Sequence, residues 1–208
     1  MTEAEMRGAL AREDLCRLIA ACYYEPEPSF AEDGLFDNLL TAAQQVKDAF
    51  VPHAQAMADE FRATDAQDLL LDYTRLFLGP MDILAKPYGS VWLDQEKTLM
   101  NESSMAVLEL YKEADFEMDE EFRELPDHVA AELEFLYLLI FRENEALRAG
   151  DTVTLDQARD LKQRFLDQHL GRWVGAFTSA MREHAQTDFY RQLADLTETF
   201  VKHESART

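Results

Sequence analysis

The sequence predicts an all-α fold, a single globular helical bundle, and three observations carry that expectation. Apolar residues recur at spacings of three and four along most of the chain. Sustained period-two alternation with turn dipeptides is absent. Pro- and Gly-marked stretches separate the periodic segments. At 208 residues the chain is long enough for one sizeable core, so a single domain over residues 1–208 is expected.

Leu15, Leu18, Ile19 and Cys22 define the first helix, which Glu25-Pro-Glu-Pro-Ser29 ends. Leu69, Leu70, Tyr73, Leu76 and Phe77 define a second, closed by Gly79-Pro80. A Pro- and Gly-marked loop follows, running to Ser90. The acidic stretch from Glu113 to Leu125 reads either as a hinge between two helical lobes or as a solvated helix end plus loop. Pro126 suits a first helical position, so a helix should begin there, with Asp127 in its first turn. The apolar residues Leu133 to Phe141 send that helix through the centre of the bundle. Gly150 and Gly171 fall where later helices should stop, and Phe189, Leu193, Leu196 and Phe200 mark the last helix.

Composition bounds the partners. Hydrophobic residues make up 47% and aromatics 11%, enough to fold despite 29% charged residues. Forty-one Asp plus Glu against 20 Lys plus Arg give a net charge of -21. Such a surface repels phosphate backbones and anionic lipid, so nucleic-acid and membrane roles are disfavoured and a cationic partner is favoured. The same charge also serves plain solubility. Cys16 and Cys22 are the only thiols, about 9 Å apart along a helix axis and out of disulfide reach. They read as core residues in a reducing compartment. The N-terminus lacks the basic and apolar regions of an export signal, and the apolar run Phe135 to Phe141 is too short to span a bilayer, so a cytoplasmic protein is expected.

Glu124-Leu-Pro-Asp-His128 sets two carboxylates and an imidazole at the mouth of the most apolar helix. A helix N-terminus opposes imidazolium, so His128 should be neutral unless Glu124 or Asp127 compensates. The cluster could do no more than satisfy nearby loop amides, or it could border a binding site.

Three segments stand out along the chain: Tyr73-Thr-Arg-Leu-Phe77 with Leu78-Gly-Pro80; Pro87-Tyr-Gly-Ser-Val-Trp-Leu-Asp94; and Glu124-Leu-Pro-Asp-His128 with its apolar continuation. In this order the chain resembles the TorD/DmsD family of cytoplasmic chaperones of molybdoenzyme maturation, which recognise twin-arginine leader peptides. The resemblance departs at the proline, which here directly precedes Asp127, and at Lys86-Pro-Tyr88. It implies a molybdoenzyme precursor as partner, no cofactor, and a monomer or a lobe-exchanged dimer with its hinge in Glu113 to Leu125. It also implies that Tyr88, Ser90, Trp92, Asp127 and His128 gather at one pocket, with Trp92 and His128 bordering one hollow and Glu124 pairing with leader guanidiniums. Tyr73, Leu76 and Phe77 share a helix face and, with Pro87 and the aromatics of the loop, would supply its apolar wall or else plain core packing.

Other chemistries find little support. There is no Gly-x-x-x-x-Gly-Lys phosphate loop. Ser90 lies outside a nucleophile elbow, and Asp127 next to His128 is poorly placed to orient it for hydrolysis. His169 and Trp173 should pack on one helix face, and no His pair has metal-ligand spacing. The expectation is a binding protein, not an enzyme.

Overall fold

A computed structural model describes residues 2–79, 82–94, 102–118 and 123–207. Among the described residues there are eleven α-helices and no strand, only an isolated antiparallel bridge between Tyr88 and His128. Helix α1 (Glu3–Ala21) starts in a capping box: the Thr2 hydroxyl accepts from the Glu5 amide at 3.2 Å and the Glu5 carboxylate from the Thr2 amide at 2.6 Å. The short α2 (Ser29–Glu32) and α3 (Leu35–Val46) follow, then a 3-10 turn (Asp48–Phe50) and α4 (Val51–Ala63). Asp65 caps α5 (Ala66–Tyr73), which widens into a π-helical turn over Thr74–Leu78 and stops at Gly79, φ 60°.

Beyond it come α6 (Ser90–Leu93), α7 (Glu102–Glu113), α8 (Val129–Ala149), α9 (Thr152–Gln168), α10 (Leu170–His184) and α11 (Asp188–Ser205). Helix α8 lies between α1 and α9, α3 packs on α1, and α11 packs on α4 and α10. Leu133, Phe135, Leu136, Leu139 and Ile140 on α8 are fully buried in one core cluster that extends from Leu15 to Val201. Burial of each such side chain contributes about 1.5–3 kcal/mol. That makes α8 the axis of the bundle, as its apolar run foretells, although Phe141 reaches the surface.

Three expectations are corrected. Helix α8 starts at Val129, not at Pro126, because the His128 ring itself caps it. Gly171 lies inside α10; the break falls at His169, whose φ of -129° and ψ of -103° leave the helical region. Glycine follows that break because a Cβ at 171 would stand 2.4 Å from the Leu166 carbonyl oxygen. Leu70, on the Tyr73 helix, is 37% exposed. Pro80 and residues 119–122 of the expected hinge lie outside the described residues. Cys16 and Cys22 are buried free thiols, as their spacing predicts. Among the described residues no helix is long and apolar enough to cross a membrane.

Candidate functional site

The start of α8 is assembled from the loop ahead of α6. Tyr88 and His128 form their backbone bridge, the Val129 amide donates to the Pro87 carbonyl at 2.8 Å, and the Gly89 amide donates to the Asp127 carbonyl at 2.8 Å. Asp127, fully buried, accepts from the Ser90 amide at 2.8 Å, so its carboxylate serves the first turn of α6 rather than of α8. The buried Tyr111 hydroxyl fixes the Pro126 carbonyl at 2.8 Å. His128 Nδ1 accepts from the Ala130 amide at 3.2 Å. A ring that accepts at Nδ1 is neutral, and burial draws its pKa down to about 4 against the opposing pull of Glu124 and Asp127.

Beside this knot lies a cavity of about 420 Å³ lined by Tyr23, Tyr24, Tyr73, Phe77, Leu78, Pro87, Tyr88, Arg123, Glu124 and His128. The Tyr88 hydroxyl donates to Glu124 Oε2 at 2.6 Å, and its ring meets that of His128 edge to face with centroids 5.4 Å apart. Tyr73 and Phe77 pack edge to face at 5.3 Å, and the Tyr73 hydroxyl reaches the Tyr23 carbonyl at 3.4 Å. Burial, then Glu124 and Glu25, push the Tyr73 phenol up to about 12; burial and the Glu124 bond likewise raise Tyr88. Tyr24, 38% exposed, donates to Glu134 at 2.5 Å. The wall is largely aromatic, and its charged side chains are Glu124 and Arg123, a setting in which the rings can take apolar or cationic groups and Glu124 can accept from a guanidinium.

Of the residues expected here, Tyr73, Phe77, Pro87, Tyr88, Glu124 and His128 come together. Leu76 does not; it is fully buried in the core, where its carbonyl accepts from Ala85 at 2.8 Å. Ser90 and Asp127 are sealed beneath the loop. Trp92 lines a separate cavity of about 340 Å³ with Ile83, Leu84, Lys86, Val91 and Asp94, held there because its Nε1–H donates to the Lys86 carbonyl at 2.9 Å. The single hollow bordered by Trp92 and His128 is therefore replaced by one bordered by Tyr88 and His128. Tyr23, Tyr24 and Arg123 escaped the sequence reading, and Leu78 stood there only within a motif; the adjacent tyrosines just before Glu25-Pro-Glu-Pro are the available signal.

Behind the loop, Glu132 accepts from Trp173 Nε1 at 3.1 Å, and a Cβ at Gly89 would stand 2.8 Å from that nitrogen and 3.0 Å from Glu132 Oε1. His169 lies between α9 and α10, not on one face with Trp173, and burial takes its pKa to about 4. Among the described residues no group of three or more His, Cys, Asp or Glu is placed to hold a metal ion.

The family model described as nitrate reductase delta subunit matches residues 37–179, a span that contains all three motifs. The chain belongs to this family. Among relatives of this delta-subunit family member is the Tat proofreading chaperone DmsD of Salmonella typhimurium, 28% identical over 195 residues, 92% of this chain and 89% of that one. The chaperone protein TorD of Vibrio parahaemolyticus is 29% identical over 149 residues, 68% of this chain and 65% of that one. The TorD/DmsD resemblance of the motifs thus extends over most of the chain. A crystal structure from Archaeoglobus fulgidus, described as a redox enzyme maturation protein, shares the fold with a TM-score of 0.59 at 21% identity, covering 92% of this chain and 93% of that one.

Proposed function

We propose that this protein is a cytoplasmic, non-catalytic chaperone of redox-enzyme maturation that binds the twin-arginine leader of a molybdoenzyme precursor until the cofactor is in place. The observation that carries this reading is the cavity at the start of α8, with five aromatic side chains and Glu124 in its wall on a chain of net charge -21. Aromatic walls accept the apolar part of a leader at low entropic cost, and carboxylates accept guanidinium in a directional pair. The relatives' names, a Tat proofreading chaperone and a chaperone protein, support the same reading. Titration calorimetry with a leader peptide is expected to give micromolar or tighter binding that weakens with salt and in Glu124→Gln. Equal affinity for a peptide with both arginines replaced by glutamine would sink it.

The family's description as a nitrate reductase subunit favours a second reading, in which the client is the mature body of a nitrate-reductase-like enzyme. Co-purification of a precursor lacking its leader separates the two: retention supports the body, loss supports the leader.

A further inference from the structure

The loop that carries Tyr88 into the cavity is gripped on two sides. Toward α8 the grip is largely backbone: the Gly89 amide donates to the Asp127 carbonyl, the Ser90 amide to Asp127 Oδ2 and the Val129 amide to the Pro87 carbonyl, each at 2.8 Å. Toward α10 it is a pair of fully buried side chains. The Trp173 Nε1–H donates to Glu132 Oε2 at 3.1 Å, which joins α10 to α8 directly behind Gly89. A Cβ at position 89 would stand 2.8 Å from Trp173 Nε1, 3.2 Å from Trp173 Cδ1 and 3.0 Å from Glu132 Oε1. With φ -57° and ψ -40°, Gly89 has a backbone that other residues adopt freely, so the closeness of this pair is what calls for glycine.

Glu132 is an unusual occupant of its position. Leu133, Phe135 and Leu136, which follow it on α8, are fully buried core residues. Glu132 Oε1 has no hydrogen-bond partner. Burial raises the pKa of its carboxyl well above the ordinary range, with the Trp173 bond opposing and the nearby Asp127 carboxylate adding to the rise. A leucine, of comparable size, would occupy this place without the desolvation of a carboxyl. Core packing alone therefore does not account for Glu132. What it supplies and leucine cannot is a directional acceptor that fixes the orientation of the Trp173 indole. The edge of that indole is the surface on which Gly89 rests. Next to Gly89 stands Tyr88, whose ring forms the cavity wall with His128.

We propose that Glu132 and Trp173 are positioning residues of the cavity at the start of α8: their hydrogen-bonded pair is a backstop for Gly89, and it sets how far the Tyr88 ring projects toward His128. Neither side chain lines the cavity, so both act through the loop. Where it concerns affinity the assignment rests on the leader-binding reading; where it concerns the place of the Tyr88 ring it rests on the fold alone.

The test compares Glu132→Leu, which fills the space and cannot accept from Trp173, with Glu132→Gln, which keeps the acceptor. Three quantities are measured on each full-length chain: the denaturant midpoint, the nuclear Overhauser contacts between the Tyr88 and His128 rings, and the affinity for a leader peptide by calorimetry. Glu132→Leu is expected to keep or raise the midpoint while it alters the ring contacts and lowers affinity roughly five- to tenfold. Glu132→Gln should restore the contacts and bring affinity to within about twofold of wild type. Trp173→Phe, which lacks the N–H, should change the ring contacts as Glu132→Leu does. A midpoint that collapses in Glu132→Leu would make the carboxyl a structural group and overturn the proposal. So would ring contacts unchanged in both Glu132→Leu and Trp173→Phe, or an affinity lost equally in Glu132→Leu and Glu132→Gln. A wild-type chain that binds no leader peptide would sink the leader reading instead, and the ring contacts alone would then decide this one.

Discussion

The backbones of Tyr88 and His128 pair in an antiparallel bridge, and their rings meet edge to face with centroids 5.4 Å apart. Two segments forty residues apart in sequence thereby share one wall, with the Tyr88 phenol tying in Glu124 at 2.6 Å. Tyr88→Phe removes that hydrogen bond and frees Glu124 while keeping the ring. Leader-peptide affinity measured by calorimetry is expected to change less than tenfold in this variant. Tyr88→Ala, which deletes the wall, should lower it by more than tenfold, about 1.4 kcal/mol or more.

Trp92 belongs to the other side of the loop, and Trp92→Phe keeps most of its apolar contact while losing the bond to Lys86. Peptide affinity in this variant is expected to stay within about threefold of wild type, less than 1 kcal/mol. A loss as large as that of Tyr88→Ala would restore Trp92 to the site.

Gly89 has ordinary helical backbone angles, so Gly89→Ala is penalised by packing alone: the new methyl meets the Trp173 indole and Glu132. Denaturant unfolding should show a loss of about 1–3 kcal/mol. Because the same residue donates to Asp127, peptide binding should weaken in the fraction that remains folded.

Two buried histidines should lower stability as pH falls below 6.5. His128 and His169 titrate near pH 4 when folded and at about 6.5 when unfolded, chiefly because burial disfavours the charged ring. Their contribution is complete above pH 6.5 and is lost as pH falls toward 4, each at about 1.4 kcal/mol per pH unit. Glu132 runs the other way. Burial raises its folded pKa well above 4.5, so its contribution declines as pH rises past 4.5, and Glu134 acts in the same sense. On the acid side Glu132 and Glu134 oppose the two rings, and above pH 6.5 the rings add no further slope. Denaturation curves between pH 4 and 6.5 are expected to show this acid limb, shallower in His169→Gln and steeper in Glu132→Gln.

The buried network of Arg12, Glu143, Lys162 and Glu204 joins α1, α8, α9 and α11. Burial alone would raise the Glu143 carboxyl, but Arg12 and Lys162 outweigh it and hold it at about 2. Glu143→Gln leaves buried cations short of a counter-charge and is expected to cost about 3–5 kcal/mol in chemical denaturation. A loss under 1 kcal/mol would mean that water reaches the network.

The sequence by itself determined the helical class, the central place of α8, the free buried thiols and the family. These follow from local periodicity, from Gly and Pro as chain punctuation, and from motifs whose order along the chain is itself the signal. It left the charge of His128 open, since Glu124 or Asp127 could offset the helix start; burial in the folded bundle decides for the neutral ring.

Which of the motif residues face one cavity was decided only by the tertiary structure. Ser90, Trp92 and Asp127 sit within a few residues of Tyr88 or His128, yet one hydrogen bond turns Trp92 to the far side and another seals Asp127 under α6. Tyr23 and Tyr24 enter the site from the end of α1, and Arg12 meets Glu143 across 131 residues. Side-chain direction at a bend and contacts between distant segments depend on how helices pack, and periodicity along one helix carries no record of either.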